Sequence, residues 1–283
     1  MIPELARQWI LDQWGQEVVS EQPVSGGCIN HGKRLRLANG KTCFLKQNDS
    51  APADMFDAEY AGLLLLGAGD GPRVPEPFHF GDDFLLTEDL APAKSRPDWE
   101  AELGRQLAQM HQRSAETFGL DRDNYIGSTP QINSQMEDGY EFFAVQRLSY
   151  QARLARDRQL LSRSEVEQIE ALGQKLPDLI PQQRPALLHG DLWSGNAIAD
   201  KEGNPALIDP ATYYGWPEAE LAMTMLFGGF GTDFYSAYQA NSNLEAGWAD
   251  RLPLYNLYHL LNHLNLFGPS YHSQTMAIVR RFS

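Results

Sequence analysis

The stretch that decides the fold reads Leu187-Leu188-His189-Gly190-Asp191-Leu192-Trp193-Ser194-Gly195-Asn196. A second apolar run, Ala206-Leu207-Ile208, ends on Asp209, thirteen residues after Asn196. Each short apolar run therefore ends on an acidic residue, and an asparagine lies between the two. This order is typical of phosphoryl transfer, in which the first acid is a base and the two later residues hold a metal ion. The sequence thus predicts Asp191 as catalytic base and Asn196 and Asp209 as ligands of Mg²⁺.

The composition limits the class of protein and the kinds of partner that this chain can have. The 283 residues are 42% hydrophobic and 21% charged, as expected for a soluble globular protein with one large domain or two modest ones. A net charge of −14 and the lack of any Lys and Arg cluster argue against a nucleic acid partner. No secretory signal or membrane-length apolar run is visible, so no membrane partner is expected. Two cysteines, Cys28 and Cys43, indicate a reducing compartment, and the expectation is cytoplasmic.

The first ninety residues are predicted to form an antiparallel sheet. Asn39-Gly40 separates two strand-like segments, 33–38 and 41–47, and this dipeptide is a strong hairpin signal. Apolar residues at helical spacing predict helices over 3–14 and 53–67, and residues 84–90 are predicted to leave the sheet as a strand. Ala91-Pro92-Ala93 interrupts the pattern, so the lobe boundary is predicted near residue 92.

Within this first part, three features suit a bound nucleotide. Lys46 ends the third strand-like run, the position of the ATP-contacting lysine in Val-Ala-Ile-Lys of protein kinases. Glu59, on the predicted helix, is its expected ion-pair partner. Backbone N–H groups of Gly26, Gly27 and Cys28 are expected to approach phosphates, because glycine leaves room for close contact. Each feature alone also fits a surface charge or an ordinary tight turn.

The second part is predicted to be mainly helical. Helices are expected from Trp99 to Met110, from about Phe142, after a capping box at 164–167, and over roughly 218–240 and 252–267. A loop rich in turn formers covers 121–135, and a hairpin is expected over 197–209. The expected fold is α+β and bilobal, resembling protein kinases. Residues 1–92 form a nucleotide-binding lobe with a β-sheet and one main helix, and 93–283 form a larger helical lobe with the catalytic loop and substrate site.

Beyond these signals, the chain resembles the fructosamine kinase family, also called ketosamine kinases, which belongs to the aminoglycoside phosphotransferase and choline kinase group of the protein-kinase-like fold. Leu192-Trp193-Ser194-Gly195, directly after His-Gly-Asp, is the most family-specific part. The resemblance covers nearly the whole length and runs through Gly26-Gly27-Cys28-Ile29, Phe44-Leu45-Lys46, Leu107-Ala108-Gln109-Met110-His111, Phe142-Phe143-Ala144, Asp209-Pro210-Ala211, Tyr214-Gly215, Phe227-Gly228-Gly229-Phe230 and 262–268.

The resemblance implies an enzyme that uses ATP and Mg²⁺ to phosphorylate the sugar 3-hydroxyl of ketosamines, the products of amine glycation. The phosphorylated adduct sheds its sugar, so the implied role is deglycation. Whether the sugar is fructose, ribulose or erythrulose, and whether the amine is free or a protein lysine, stays open. Gly190 in place of the Arg of His-Arg-Asp, and Pro210-Ala211 in place of Phe-Gly, agree with a small-molecule kinase.

The resemblance also assigns further roles. Glu88, Asp89 and Leu90 are implied as the hinge that binds adenine through backbone groups. Trp193 and His263 fall where the family contacts the ketosamine, although either can equally be a core residue. His189 and Glu220 are implied as structural support of the catalytic loop, although Glu220 can equally cap or solvate its helix.

Cys28 carries a separate expectation. In this family, a cysteine in the Gly-rich loop suggests thiol-dependent control, through a disulfide that links two copies of the chain. The alternative is a small residue that fits a tight loop. The expected assembly is therefore a monomer or a Cys28-linked homodimer.

Two rival functions remain at this point. One is a kinase of another small alcohol, such as an aminoglycoside or choline, on the same fold. The other is a nucleotide-binding protein without catalysis, which the presence of a base, two metal ligands and a lysine disfavours.

Overall fold

A five-stranded antiparallel sheet forms the N-terminal lobe of the structure, a computed structural model that describes residues 1–24 and 30–283. The strands lie in the order β1-β2-β3-β5-β4. Their bounds are β1 Val18–Val24, β2 His31–Leu37, β3 Thr42–Gln47, β4 Pro77–Gly81 and β5 Phe84–Glu88. The predicted antiparallel sheet is therefore confirmed.

The β2–β3 hairpin sets the position of Lys46. Gly40 has φ +84°, a left-handed conformation that glycine adopts without steric cost, and its N–H donates to Leu37 O at 2.9 Å. The resulting register pairs Lys46 with Gly32 on β2 and with Leu85 on β5. Lys46 is thus in the middle of the sheet, between two neighbouring strands.

The two faces of this sheet are covered by different helices. Helix α1, Glu4–Trp14, packs Ile10 and its apolar neighbours on one face, against Leu35, Leu45 and Leu86. Helix α2, Met55–Gly67, packs Phe56 and Leu63 against Leu85 on the other. Because successive side chains of a strand point to opposite faces, Leu85 and Leu86 belong to different clusters.

The C-terminal lobe is mainly helical, as predicted. Its helices are α3 Trp99–Met110, α4 Gly139–Phe142, α5 Tyr150–Asp157, α6 Arg163–Gln174, α7 Leu176–Leu179, α8 Pro217–Leu226, α9 Thr232–Ala240, α10 Trp248–Phe267 and α11 His272–Phe282. A π-helical segment, Phe143–Ser149, joins α4 to α5. The short strands pair as β6 Asn124–Ile126 with β7 Thr129–Gln131, β8 Ala186–Leu188 with β11 Tyr213–Gly215, and β9 Ala197–Ala199 with β10 Pro205–Leu207.

Helix α10 lies at the centre of this lobe and packs against α5, α8 and α11. Helix α3 packs closely on α9, since a Cβ built on Gly104 would lie 2.2 Å from Phe234 O. A glycine at this position therefore lets the two backbones approach.

Several predicted elements differ from the structure. The helix predicted over 218–240 is two helices, because Gly228 and Gly229 have φ values of +106° and +71° and end the first one. The capping box uses Ser162 and Glu165 rather than 164 and 167, since Ser162 is the residue with extended backbone before α6. The 121–135 loop contains the β6–β7 hairpin, and α11 was not predicted.

No helix in the described part of the chain is both long and apolar enough to cross a membrane.

Candidate active site

The catalytic loop begins at His189, directly after strand β8, and Glu220 of α8 binds its backbone. The Glu220 carboxylate accepts the N–H of His189 at 2.5 Å and the N–H of Gly190 at 2.9 Å. Both carboxylate oxygens are thereby used, and the side chain is buried. Glu220 therefore binds the backbone at the start of the catalytic loop, where the sequence predicts a supporting role for it.

Gly190 is required by this geometry. Its φ is +86°, and a Cβ at this position would lie 2.0 Å from Ala211 O. The N–H of Ala211 also donates to His189 O at 2.8 Å, so the two segments run side by side. A side chain such as the Arg of protein kinases has no space here, which explains that departure from His-Arg-Asp.

His189 joins the catalytic loop to the segment that carries Asp209. Its Nδ1 accepts the N–H of Asp191 at 3.3 Å, so the ring proton is on Nε2, which donates to Ile208 O at 2.9 Å. Burial lowers the pKa of His189, in agreement with a neutral ring that has one donor and one acceptor. His189 thus joins Ile208, the residue directly before Asp209, to the backbone of Asp191.

Asn196 lies against the predicted base. Its Nδ2 donates to Asp191 O at 2.8 Å and to Asp191 Oδ2 at 3.3 Å. The Asn196 backbone carbonyl in turn accepts the N–H of Ile208 at 3.0 Å. The amide oxygen Oδ1 accepts no hydrogen bond from the residues described, so it is the atom left for a cation.

Lys46 connects the sheet to the catalytic residues. Its Nζ donates to Glu59 at 2.7 and 2.8 Å and to Asp209 Oδ1 at 2.9 Å. Burial lowers the pKa of Lys46, but Asp209 and Glu59 together raise it above the ordinary value, so the ammonium is retained. The structure therefore brings five of the predicted site residues together, since Asp191 and Asn196 adjoin the segment that carries Asp209.

Negative charge exceeds positive charge at this site. Burial, with Asp209 and Glu220 nearby, raises the pKa of Asp191 to about 8 in the chain without ligands. Asp209 has φ +56°, a conformation that aspartate tolerates better than most residues, and its side chain is 43% exposed. The site is therefore suited to cations, because they relieve the repulsion among buried carboxylates.

The donor set fits Mg²⁺ only in part. No group of three His, Cys, Asp or Glu side chains gathers at metal-binding distance anywhere in residues 1–24 and 30–283. The Asp209 carboxylate and the Asn196 amide oxygen are the available oxygen donors, and Mg²⁺ is commonly bound by one or two protein oxygens together with phosphates and water. The residues thus fit an ion that arrives with a nucleotide rather than a permanent metal site.

The acidic side chains of the predicted hinge bind arginines of the protein itself. Glu88 binds Arg73, whose Nη1 also donates to Asp200 at 2.8 Å, and the buried Asp89 accepts from Arg34 Nε at 2.5 Å. In contrast, the backbone N–H and carbonyl groups of Asp89 and Leu90 make no hydrogen bond within the described residues. These backbone groups are the ones that the adenine prediction requires.

Trp193 folds back over its own loop. A Cβ built on Gly195 would lie 2.2 Å from the Trp193 indole, so the ring covers the backbone of Gly195. The residue is partly exposed, and its N–H donates to Asp191 O at 3.2 Å. Gly195 is therefore needed for the observed position of the indole.

His263 lies in a different group of aromatic rings. Its centroid is 4.6 Å from that of Phe227, 5.3 Å from that of Phe267 and 5.2 Å from that of Tyr271. Nδ1 donates to His259 O at 2.8 Å, and burial lowers the pKa of His263, so the neutral ring keeps Nε2 as an acceptor. Hydrogen bonds and ring contacts of the described residues do not join His263 to Trp193 or Asp191.

The remaining predicted residues, Gly26, Gly27 and Cys28, lie outside the described residues, and their roles stay predictions. The second cysteine is described. Burial and nearby Asp89 raise the pKa of Cys43 to about 12, so its thiol stays protonated and inert. Thiol chemistry, if this chain has any, therefore belongs to Cys28.

Sequence reasoning missed a buried polar network behind the site. Asn124 Nδ2 donates to Thr212 O at 2.7 Å, and Gln131 Nε2 donates to Ala211 O at 3.0 Å. Arg147 is fully buried, stacks over Tyr213 at 4.1 Å, and donates to Asn133 Oδ1 at 2.7 Å. This network fixes the segment after Asp209, and the amide-rich composition of 121–135 was its only sequence signal.

Solved structures place this architecture in a known class. A crystal structure from Thermobifida fusca described as a fructosamine-3-kinase matches with a TM-score of 0.88 and 34% identity over 98% of this chain and 97% of the other. A gentamicin complex of an aminoglycoside phosphotransferase matches with a TM-score of 0.65 at 13% identity, over 100% and 96% of the two chains, and shares the fold alone. The chain is a kinase with the protein-kinase-like fold.

Sequence comparison narrows the class to a family. The family model for fructosamine kinase matches residues 1–283. The protein-ribulosamine 3-kinase of Arabidopsis thaliana is 40% identical over 283 aligned residues, covering 96% of this chain and 86% of the relative. The chain belongs to the fructosamine kinase family, as its His-Gly-Asp-Leu-Trp-Ser-Gly-Asn motif predicted.

Proposed function

We propose that this chain is an ATP-dependent ketosamine 3-kinase. It transfers the γ-phosphate of ATP to the sugar 3-hydroxyl of a ketosamine, after which the unstable adduct sheds its sugar. Family membership supports this proposal. The Arabidopsis relative is named for ribulosamine and the Thermobifida structure for fructosamine, and both compounds are ketosamines.

The observation that carries the proposal is one hydrogen-bonded assembly of four functional groups. Asn196 contacts Asp191, Lys46 contacts Asp209, and the backbone of Ile208 joins the two pairs. Phosphoryl transfer depends mainly on placing a base, a metal and a cation around the phosphate, and these side chains supply each part.

In the proposed reaction, Asp191 accepts the proton of the attacking 3-hydroxyl. The bond between the sugar oxygen and the γ-phosphorus forms while the bond from that phosphorus to the bridging oxygen of ADP breaks. Lys46 lies where it can neutralise phosphate oxygens, and Asp209 and Asn196 would hold Mg²⁺. The ion, when bound, screens the charge of the β- and γ-phosphates. After transfer, ADP leaves and the proton on Asp191 returns to solvent.

ATP is proposed to lie between the sheet and the catalytic loop. The free backbone groups of Asp89 and Leu90 pair with adenine, and the N–H groups of Gly26, Gly27 and Cys28 approach the phosphates. This placement is supported by Lys46, which extends from the sheet into the same space and already contacts Asp209. The two lobes therefore share the nucleotide.

The substrate side is proposed to recognise the sugar and its amine through Trp193 and His263. A ketosamine carries a protonated amine at neutral pH, and the excess of carboxylates favours such a cation. The Trp193 indole is partly exposed two residues after Asp191, and the neutral His263 ring offers an acceptor for a hydroxyl. Aromatic rings bind sugar C–H faces and cationic amines through the same π surface.

The test is an assay with ATP and Mg²⁺ on fructosyl-lysine, ribulosyl-lysine, an aminoglycoside and choline. Turnover of only the two sugar amines is expected, and the ratio of their rates identifies the preferred ketose. Asp191→Asn should lower kcat by a factor on the order of 100 or more, since it removes the base. Turnover of choline or the aminoglycoside alone would support the alternative hypothesis of a kinase for another small alcohol. ATP binding without any turnover would support a nucleotide-binding protein without catalysis.

Regulation through Cys28 and a cytoplasmic location stay part of the proposal. Cys28 is proposed to form a disulfide between two copies of the chain under oxidation. An oxidant should lower activity and produce a dimer on a non-reducing gel, and Cys28→Ala should abolish both effects. If the chain stayed monomeric and fully active in oxidant, the proposed switch would be absent. Cys43→Ala is the matched control.

A further inference from the structure

Helix α2 carries Glu59, the residue that holds Lys46 in place. In kinases, an ATP-contacting lysine works only when this glutamate is in position, and movement of the corresponding helix is a means of control. The contacts that hold α2 therefore determine whether the Lys46–Glu59 ion pair is always present or forms only when the helix moves.

The beginning of α2 is bound to the C-terminal lobe by side chains. Arg122 Nη2 donates to Asp57 Oδ2 at 2.5 Å, in the first turn of the helix. The Tyr125 hydroxyl donates to Asp54 Oδ1 at 2.5 Å, on the residue just before the helix. Arg122 precedes β6 and Tyr125 lies on it, so both contacts cross from one lobe to the other.

The end of α2 is bound to the same lobe by a guanidinium group. Arg113, which follows α3, donates from Nη1 to Leu66 O at 2.8 Å and from Nη2 to Leu65 O at 2.5 Å. These carbonyls lie in the last turn, where a helix lacks internal donors and where its dipole favours a cation. The side chain of Leu66 is itself part of the C-terminal core.

The middle of α2 touches the segment that follows Asp209. A Cβ built on Gly62 would lie 3.2 Å from Thr212 Oγ1, so helix and segment are almost in contact. On its other side, α2 meets the sheet through the apolar side chains Phe56 and Leu63. Within the described residues, side-chain hydrogen bonds from the helix toward the sheet are those of Glu59 with Lys46.

We infer that Arg113, Arg122 and Tyr125 are positioning residues that fix α2 to the C-terminal lobe and so hold Glu59 permanently in place for Lys46. Helix α2 is thereby bound to the C-terminal lobe as well as to the sheet on which it packs. Glu59 and Asp209 then form one rigid receptor for the Lys46 ammonium. The inference rests on the proposed function only in taking Lys46 as the phosphate-contacting lysine.

Helix α2 therefore joins the two lobes. Its apolar side chains Phe56 and Leu63 pack against Leu85 of the sheet, whereas its two ends bind Arg113, Arg122 and Tyr125 of the C-terminal lobe. Loss of the arginine contacts should leave the helix packed on the sheet alone and loosen Glu59 relative to Asp209.

The test combines hydrogen exchange with Mg·ATP affinity in Arg113→Ala and Arg122→Ala. Amides of 55–67 should exchange faster in both variants, and affinity for Mg·ATP should fall by about threefold to tenfold, because the contacts are partly exposed. In the Glu59→Gln background, Arg122→Ala should cause no further loss of affinity, since both changes act through the same glutamate. Arg122→Lys should restore part of the affinity.

The matched control is Arg163→Ala, which removes an exposed arginine that pairs with Glu167 at 2.9 Å, far from α2. It should change neither exchange nor affinity. Unchanged exchange of 55–67 in Arg113→Ala and Arg122→Ala, or losses of affinity that add to that of Glu59→Gln, would overturn the inference. If the wild-type chain did not bind Mg·ATP, the proposed function would fail, while the exchange measurement would still test the anchoring of α2.

Discussion

The proposed phosphate side and the proposed substrate side of the catalytic loop are built in different ways. On the phosphate side, Asp191, Asn196, Asp209 and Lys46 are connected by hydrogen bonds and supported by buried Glu220. On the substrate side, Trp193 and His263 are placed by ring and backbone packing, and both are partly exposed. If the proposed roles hold, the chemistry depends on charges fixed by hydrogen bonds, whereas recognition depends on aromatic surfaces.

The largest effect is expected at Asp209, where the phosphate side would lose a charge. Asp209→Asn should lower Mg²⁺-dependent kcat by on the order of 100-fold or more, because the metal supplies several kcal/mol of charge stabilisation. The measurement is initial rate against Mg²⁺ concentration at saturating ATP. An unchanged kcat would remove Asp209 from the metal site and weaken the distinction between the two sides.

A smaller loss of kcat is expected when Glu220, which binds the backbone of the catalytic loop, is replaced. Glu220→Ala leaves the N–H groups of His189 and Gly190 without their acceptors, which costs about 1–3 kcal/mol per buried group. We expect a lower kcat with little change in either KM, because Glu220 acts on the position of Asp191. Thermal unfolding should be measured in parallel.

The matched control for this variant is Glu218→Gln, two residues away on α8. Glu218 is equally buried but pairs with Arg251 at 2.5 Å and with the Tyr255 hydroxyl at 2.9 Å. It should lower stability without changing kcat at a temperature where the chain is folded. Equal losses of kcat in both variants would mean that Glu220 acts through stability alone.

On the substrate side, a change at Trp193 should affect binding rather than chemistry. Trp193→Ala should raise KM for the ketosamine by about tenfold, on the scale of one lost aromatic contact, with KM for ATP unchanged. Gly195→Ala should act in the same direction, because its methyl group would displace the indole. A rise in KM for ATP instead would place Trp193 on the phosphate side.

The smallest expected effect concerns pH and His263. Burial lowers the pKa of His263, so the ring is neutral at and above the ordinary histidine pKa, and its charged form appears only as the pH falls well below it. Between about pH 6.5 and 8, KM for the ketosamine should therefore show no ionisation that His263→Gln removes. Different pH profiles for wild type and variant in this range would show that a charged His263 takes part.

Much of the phosphate side was readable from the sequence because its residues are close in the chain. Asp191 and Asn196 are five residues apart, and Asp209 ends the next apolar strand, so local spacing indicates their meeting. The Lys46–Glu59 pair was also predictable, because Lys46 ends a strand at the position of the ATP-contacting lysine of protein kinases and Glu59 lies on the helix that follows. Confirmation of the hairpin at Asn39-Gly40 follows from equally local turn chemistry.

Other features depended on contacts between distant segments. The amide-rich 121–135 segment was read as a loop because polar residues usually indicate solvent, whereas Asn124 and Gln131 are buried against 211–212. The break in the helix predicted over 218–240 depended on two glycines whose positive φ the pattern alone did not reveal.

The sequence by itself determined the family, the protein-kinase-like fold and the order of the chemical groups along the chain, because motifs and strand patterns are local. Tertiary structure alone decided that Glu220 reaches His189, that Gly190 leaves room for Ala211, and that Arg113 and Arg122 bind α2 from the other lobe. Such contacts join residues 21 to 65 positions apart, and their energies depend on burial and packing that no short window of sequence contains.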